Sequence, residues 1–95
     1  MIQSFACRRT EQLFRDGQCD KRFRNFRVQA EKRLNILDAA SSIYDLMNLK
    51  SNRFEALHGD RNGQFSISIN MQWRVCFRWD AAYRGPGDVE IVDYH

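Results

Sequence analysis

Two histidines, His58 and His95, a set of arginines, and the run Asp93, Tyr94, His95 after an apolar segment are the groups here suited to moving protons and balancing charge. An acid, a phenol and an imidazole at a strand end fit acid-base chemistry; a polar terminus without a role is the plain alternative. No carboxylate pair is spaced to hold a dication. Cys7, Cys19 and Cys76 are an odd number with no CxxC pair, so no metal, cofactor or disulfide framework is expected. Metal-free cleavage of RNA suits this inventory. The ribose 2′-hydroxyl is its own nucleophile, and the protein has only to take that proton, protonate the leaving 5′-oxygen and offset charge on the phosphorane. DNA lacks the 2′-hydroxyl and cannot follow this route.

The charge is unevenly spread. Between Met1 and Leu37 nine basic residues face four acidic ones, a net +5, which leaves −2 for the remainder of a chain whose formal charge is +3. Twelve of the fifteen cations are Arg, which binds phosphate bidentately, so an anionic polymer is the natural partner. A basic face that is merely solvated, or docked by an acidic protein, is the alternative. At 95 residues the chain is expected to form one small domain over 1–95. Its 43% hydrophobic and 13% aromatic residues are enough for a core. No apolar run approaches the length of a membrane span and the N-terminus lacks the apolar stretch of a signal peptide, so a cytoplasmic protein with no membrane partner is expected.

These groups must be positioned by a short list of elements. Ile2 to Ala6 reads as an opening strand and Thr10 to Phe14 as one or two helical turns, with Gly17 placed as a C-cap. Phe23, Phe26, Ala30, Leu34 and Leu37 recur at spacings of 3, 4, 4 and 3 and predict a longer helix from about Lys21 to Ala39. Its apolar stripe is core, and Arg22, Arg24, Lys32 and Arg33 fall largely off it. Ser41 or Ser42 can cap a short turn through Met47.

Arg53 to Leu57 leads into His58-Gly59-Asp60-Arg61-Asn62-Gly63, a polar turn with glycines that set the directions of His58 and Arg61; Asp60 is expected to shape this turn. Phe65, Ile67 and Ile69 alternate with Ser66, Ser68 and Asn70. Trp73, Val75, Phe77 and Trp79 alternate with Arg74, Cys76 and Arg78, and Val89 to Asp93 is the last strand. The Trp and Phe residues of this pattern are expected in the core rather than stacked on bases, and Cys76 is expected to pack. The predicted class is α+β, in the order β-α-α, short helical turn, β-β-β, with helices over one face of an antiparallel sheet.

Four blocks carry a resemblance to a known family. Phe54-Glu55-Ala56-Leu57-His58-Gly59-Asp60-Arg61-Asn62-Gly63-Gln64, Ser66 to Asn70, Gln72-Trp73-Arg74-Val75-Cys76-Phe77-Arg78-Trp79, and Val89 to His95 resemble, in order and spacing, the HigB branch of the RelE/ParE toxin superfamily. The opening Met1-Ile2-Gln3-Ser4-Phe5 fits the same branch. The resemblance implies a compact RelE-like fold and the toxin of a type II toxin-antitoxin pair that enters the ribosomal A site and cuts the messenger. It also implies a HigA-type helix-turn-helix antitoxin as partner, and products ending in a 2′,3′-cyclic phosphate and a 5′-hydroxyl.

Carried over residue by residue, Asp93, Tyr94 and His95 match the family's terminal active-site motif and Arg74 its phosphate-facing arginine, with Arg61 a further candidate in the loop. Family members commonly have Lys where this chain has His58, and some have His where it has Glu55. The acid and base therefore stay unassigned among His58, Glu55 and His95. A His at that position can exchange a proton near neutral pH where a Lys acts mainly as a cation. Arg78 is either an RNA contact or a surface ion-pair residue, and Arg22, Arg24 and Lys32 are candidates to bind ribosomal RNA. Two other readings stand beside this one: a non-catalytic toxin of the same fold that poisons DNA gyrase, and a plain RNA-binding module.

Overall fold

The computed structural model describes residues 1–79, 82 and 84–94. Helix α1, Arg8–Asp16, ends at Gly17, whose φ of 69° is left-handed and whose N–H donates to the Gln12 carbonyl. Only a residue without a Cβ adopts that geometry at no cost, so the C-cap reading of Gly17 holds. The predicted long helix changes pitch along its length. Phe23 and Phe26, three apart, lie in a 3-10 helix over Lys21–Phe26, and Ala30, Leu34 and Leu37 follow in α2, Arg27–Ala39. A spacing of three suits a 3-10 turn and spacings of four suit an α-turn, so both segments bury the same side. All five side chains are buried.

Helix α3, Ile43–Asn48, has Ser42 at its N-cap, but the Ser42 side chain makes no capping hydrogen bond. Asp45 in the first turn instead ties back the preceding segment, its Oδ2 accepting from the Ser41 N–H at 2.8 Å.

The sheet has four antiparallel strands side by side in chain order: β1 Glu55–Ala56, β2 Phe65–Ser68, β3 Trp73–Arg78 and β4 Gly87–Asp93. The three-strand meander predicted from alternation is thus extended by β1, too short to show a period of its own. Asn70 closes the β2–β3 hairpin, its Oδ1 accepting from the N–H groups of Gln72 and Trp73 at 2.8 Å each. Ile67, Val75 and Ile91 face one another across three strands and are buried on the side the helices cover. There α1 packs on β4 and α2, and Trp73 lies against Phe26 and Phe23 with ring centroids 4.9 and 5.9 Å apart. The core placement predicted for Trp73 and Phe77 is what the structure has, Phe77 being fully buried and Trp73 half-buried.

The predicted opening strand is reduced to a single parallel bridge between Phe5 and Val89. Val89 N–H donates to the Ser4 carbonyl and Ala6 N–H to the Val89 carbonyl, after which the chain turns into α1. The next outward-facing N–H of β4, on Ile91, donates to the hydroxyl of fully buried Thr10 at 3.0 Å. A helix residue therefore finishes what a strand would have done, and the outer edge of β4 is covered. Among the described residues no helix is long and apolar enough to cross a membrane.

Candidate active site

Strand alternation sends Arg74, Cys76 and Glu90 to the side of the sheet away from the helices, and cross-strand pairing lines up Glu55, Ser66, Cys76 and Glu90 in one row. Ser66 and Cys76 are fully buried although they belong to the face predicted to be open. Arg74 lies over Ser66, and its charge and that of Arg61 also act on Cys76. Its Nε donates to Ser66 Oγ at 2.7 Å and its Nη2 to the Arg53 carbonyl. Arg74 is half-buried and held by two acceptors from different segments, so its guanidinium plane is set before any ligand arrives.

Arg61 reaches the same row from the glycine-bounded turn. The turn closes on itself: Arg61 N–H donates to the His58 carbonyl, Gln64 N–H to the Arg61 carbonyl and Leu57 N–H to the Gln64 carbonyl. Gly63, at φ 89°, permits this return, and a Cβ there would lie 3.1 Å from an Arg78 nitrogen. The Arg61 side chain then folds inward, and Nη1 donates to Glu90 Oε1 at 2.8 Å and Gln64 Oε1 at 3.0 Å. The hydrogen bond that Arg61 donates to Glu90 raises the Arg61 pKa against the opposing effect of burial. Burial pushes the Cys76 thiol up, while Arg61 and Arg74 pull it down. Two fixed guanidinium groups thus flank a buried polar row, the arrangement that stabilises developing negative charge without reorganisation.

The remaining candidates divide. His58 is exposed at the turn and Glu55 is exposed on β1 in line with Ser66. Arg78 is in an ion pair with Asp88 at 3.6 Å, the surface role that was one of its two alternatives. Asp60 lies in the 3-10 turn Gly59–Arg61 and is exposed. Asp93 is in register with Trp73, on the helix side of the sheet and not on the Arg74 side, and its Oδ2 accepts from Gln72 Nε2 at 3.1 Å. Gln72 also accepts the Tyr94 N–H at 2.8 Å on its carbonyl, so one hairpin residue pins both Asp93 and Tyr94. Tyr94 is 39% exposed, and His95 lies outside the described residues. Arg22, Arg24 and Lys32 are exposed on the helical layer, across the sheet from Arg61 and Arg74, with no salt-bridge partner among the described residues.

Sequence reasoning passed over Glu90, Ser66, Gln64 and Gln72. Glu90 carried a signal, a charge between buried Val89 and Ile91, which marks the opposite face of the strand. The others carried none, because their value lies in partners distant along the chain.

A four-stranded antiparallel meander backed by N-terminal helices, with arginines on its other face, is consistent with a RelE-like toxin. The family model described as a RelE-like toxin of type II toxin-antitoxin system HigB matches residues 3–95, and the chain belongs to that family. It is 39% identical over 83 residues to Toxin HigB-1 of Vibrio cholerae serotype O1, covering 83% of this chain and 84% of that protein. It is 30% identical over 94 residues to Endoribonuclease HigB of Proteus vulgaris, covering 99% and 96%. As a toxin of such a system, the chain has an antitoxin for a partner.

Proposed function

We propose that this toxin is an endoribonuclease that cuts messenger RNA in the ribosomal A site by metal-independent transesterification, and so stops translation in the cytoplasm. The observation that carries the reading is the pair of guanidinium groups, Arg61 and Arg74, fixed over one polar row of the sheet. The 2′-hydroxyl attacks the adjacent phosphorus and its proton passes to a base. The phosphorane charge is balanced by Arg74 and Arg61, and the leaving 5′-oxygen takes a proton from an acid. The products are a 2′,3′-cyclic phosphate and a 5′-hydroxyl. Tyr94 and His95, with His58 and Glu55, supply the proton-handling groups, while Asp93, on the opposite face of the sheet, is hydrogen-bonded to Gln72.

Arg22, Arg24 and Lys32 contact ribosomal RNA phosphate from the opposite layer, so one face grips the ribosome while the other holds the messenger. The antitoxin is a HigA-type helix-turn-helix protein. Support for the reaction comes from the family membership and from the relative named Endoribonuclease HigB.

The test is cleavage of a defined message on ribosomes with a chosen codon in the A site. Wild-type toxin should cut within that codon, leave free RNA nearly intact, and lose roughly 10²–10³-fold in rate as Arg74→Ala, the usual cost of removing one charge-stabilising donor. Equal cutting of free and ribosome-bound message would overturn the ribosomal part of the proposal, and no cutting of either would overturn the whole.

A further inference from the structure

Arg53 has φ 45° and ψ 53°, left-handed values that an L side chain rarely adopts. Such a conformation is strained for a residue with a Cβ and persists where its surroundings hold it. What holds it is Asn52, which is fully buried. The Asn52 side chain accepts from Arg33 Nη1 at 2.7 Å and donates through Nδ2 to the Leu46 carbonyl at 3.0 Å. Its own N–H donates to the Leu49 carbonyl and that of Arg53 to the Lys50 carbonyl. Asn52 therefore ties one tight turn to α2 through Arg33 and to α3 through Leu46. The product of this anchoring is a carbonyl, that of Arg53, aimed at Arg74 Nη2.

We propose that Asn52 is a positioning residue for Arg74. Ser66 holds Arg74 through its Oγ on Nε and, at a long 3.5 Å, through its carbonyl on Nη2, and the Arg53 carbonyl adds to that Nη2 a closer acceptor from outside the sheet, which fixes the guanidinium plane. Asn52 fixes that carbonyl, so the helical layer sets the direction of the phosphate-facing arginine on the far side of the sheet. The inference rests on the phosphate-facing role proposed for Arg74. A buried amide with both ends hydrogen-bonded is costly to disturb, which makes the coupling stiff.

Two measurements test it, one without catalysis. The Arg74 Nε–H resonance, assigned by its loss in Arg74→Lys, should be sharp and protected in wild-type protein. It should keep that position in Arg53→Gly, since glycine takes positive φ and still presents a carbonyl. It should broaden or move toward the free-arginine position in Asn52→Ala. In cleavage on ribosomes, Asn52→Ala should lower the rate about tenfold in otherwise wild-type protein and not at all further in an Arg74→Ala background, the signature of action through one partner. Should Asn52→Ala fail to fold, Arg33→Gln, which breaks the same anchor from a less buried residue, should show both effects in weaker form. An unmoved Arg74 resonance in the folded variants overturns the proposal, and so does a loss of rate that adds in full to that of Arg74→Ala. Wild-type protein that cuts nothing sinks the ribonuclease reading instead and leaves the resonance to decide the positioning.

Discussion

Arg61 Nη1 donates to Glu90 Oε1 across 2.8 Å, joining the glycine-bounded turn to β4 although the two residues are 29 apart in sequence. The bond aims a loop cation at the polar row where Arg74 already sits. Partial exposure screens it, so its value lies in direction more than in stability.

Glu90→Ala should accordingly lower unfolding stability by no more than about 1 kcal/mol, yet slow cleavage by about tenfold because Arg61 is no longer aimed. Urea unfolding beside cleavage on ribosomes separates the two quantities. A full wild-type rate in Glu90→Ala would mean that the direction of Arg61 is irrelevant to the chemistry.

On the other layer, simultaneous replacement of Arg22, Arg24 and Lys32 by Ala should leave stability within about 0.5 kcal/mol, since all three are exposed. Ribosome affinity should fall, and its logarithmic dependence on salt should flatten by roughly one unit for each phosphate that is no longer neutralised. Binding titrations at several salt concentrations give that slope, and an unchanged slope would remove these residues from the interface.

The helical stripe and its cations could be read from the chain alone, and the pairing of Arg61 with Glu90 could not. Phe23, Phe26, Ala30, Leu34 and Leu37 announce their burial because helical period and core packing are the same local fact, and Arg22, Arg24 and Lys32 follow as exposed, whereas Arg33, expected to face outward with them, is half-buried on Asn52. Arg61 and Glu90 meet only once the sheet has formed, and nothing local in either segment signals the other. The opening segment 2–6 fails as a strand for a related reason: its partner is β4, at the far end of the chain, and Thr10 takes over the edge after one bridge. Ser66 looks solvent-facing by alternation and is buried because Arg74, eight residues on, folds over it. The chemical role proposed for Arg74 is visible in the sequence only through family likeness.

Acid should weaken the start of the 3-10 helix. The N–H of Arg22, followed by the charges of Arg9 and Arg22, holds the Asp20 carboxyl below the ordinary aspartate range despite the opposing effect of burial. A carboxyl with a depressed folded pKa adds stability above its unfolded pKa of about 4 and loses that contribution as pH falls through the folded value. Wild-type protein should therefore lose more stability than Asp20→Asn between about pH 5 and pH 2. Urea midpoints across that range should converge at the acid end; parallel curves would show that Asp20 is not held in this way.

Thiol chemistry offers a check on the buried row. Cys7 and Cys19 are half-buried, whereas Cys76 is fully buried with its thiol pushed up by burial. Under native conditions a thiol reagent should modify Cys7 and Cys19 first, with Cys76 reacting only as fast as the sheet opens. Peptide mass spectrometry over time reads the order, and early modification of Cys76 would contradict its burial in the sheet.

The proposed activity requires that messages be cut as they are translated. Mapping the 5′ ends of cellular messages after brief expression of wild-type, Tyr94→Phe and His95→Ala toxin tests it most directly. The wild type should give cuts phased to codons inside translated regions, carrying 5′-hydroxyl ends, and both variants should lose most of them. Growth arrest by the wild type with no phased cuts, or arrest that survives His95→Ala undiminished, would contradict it.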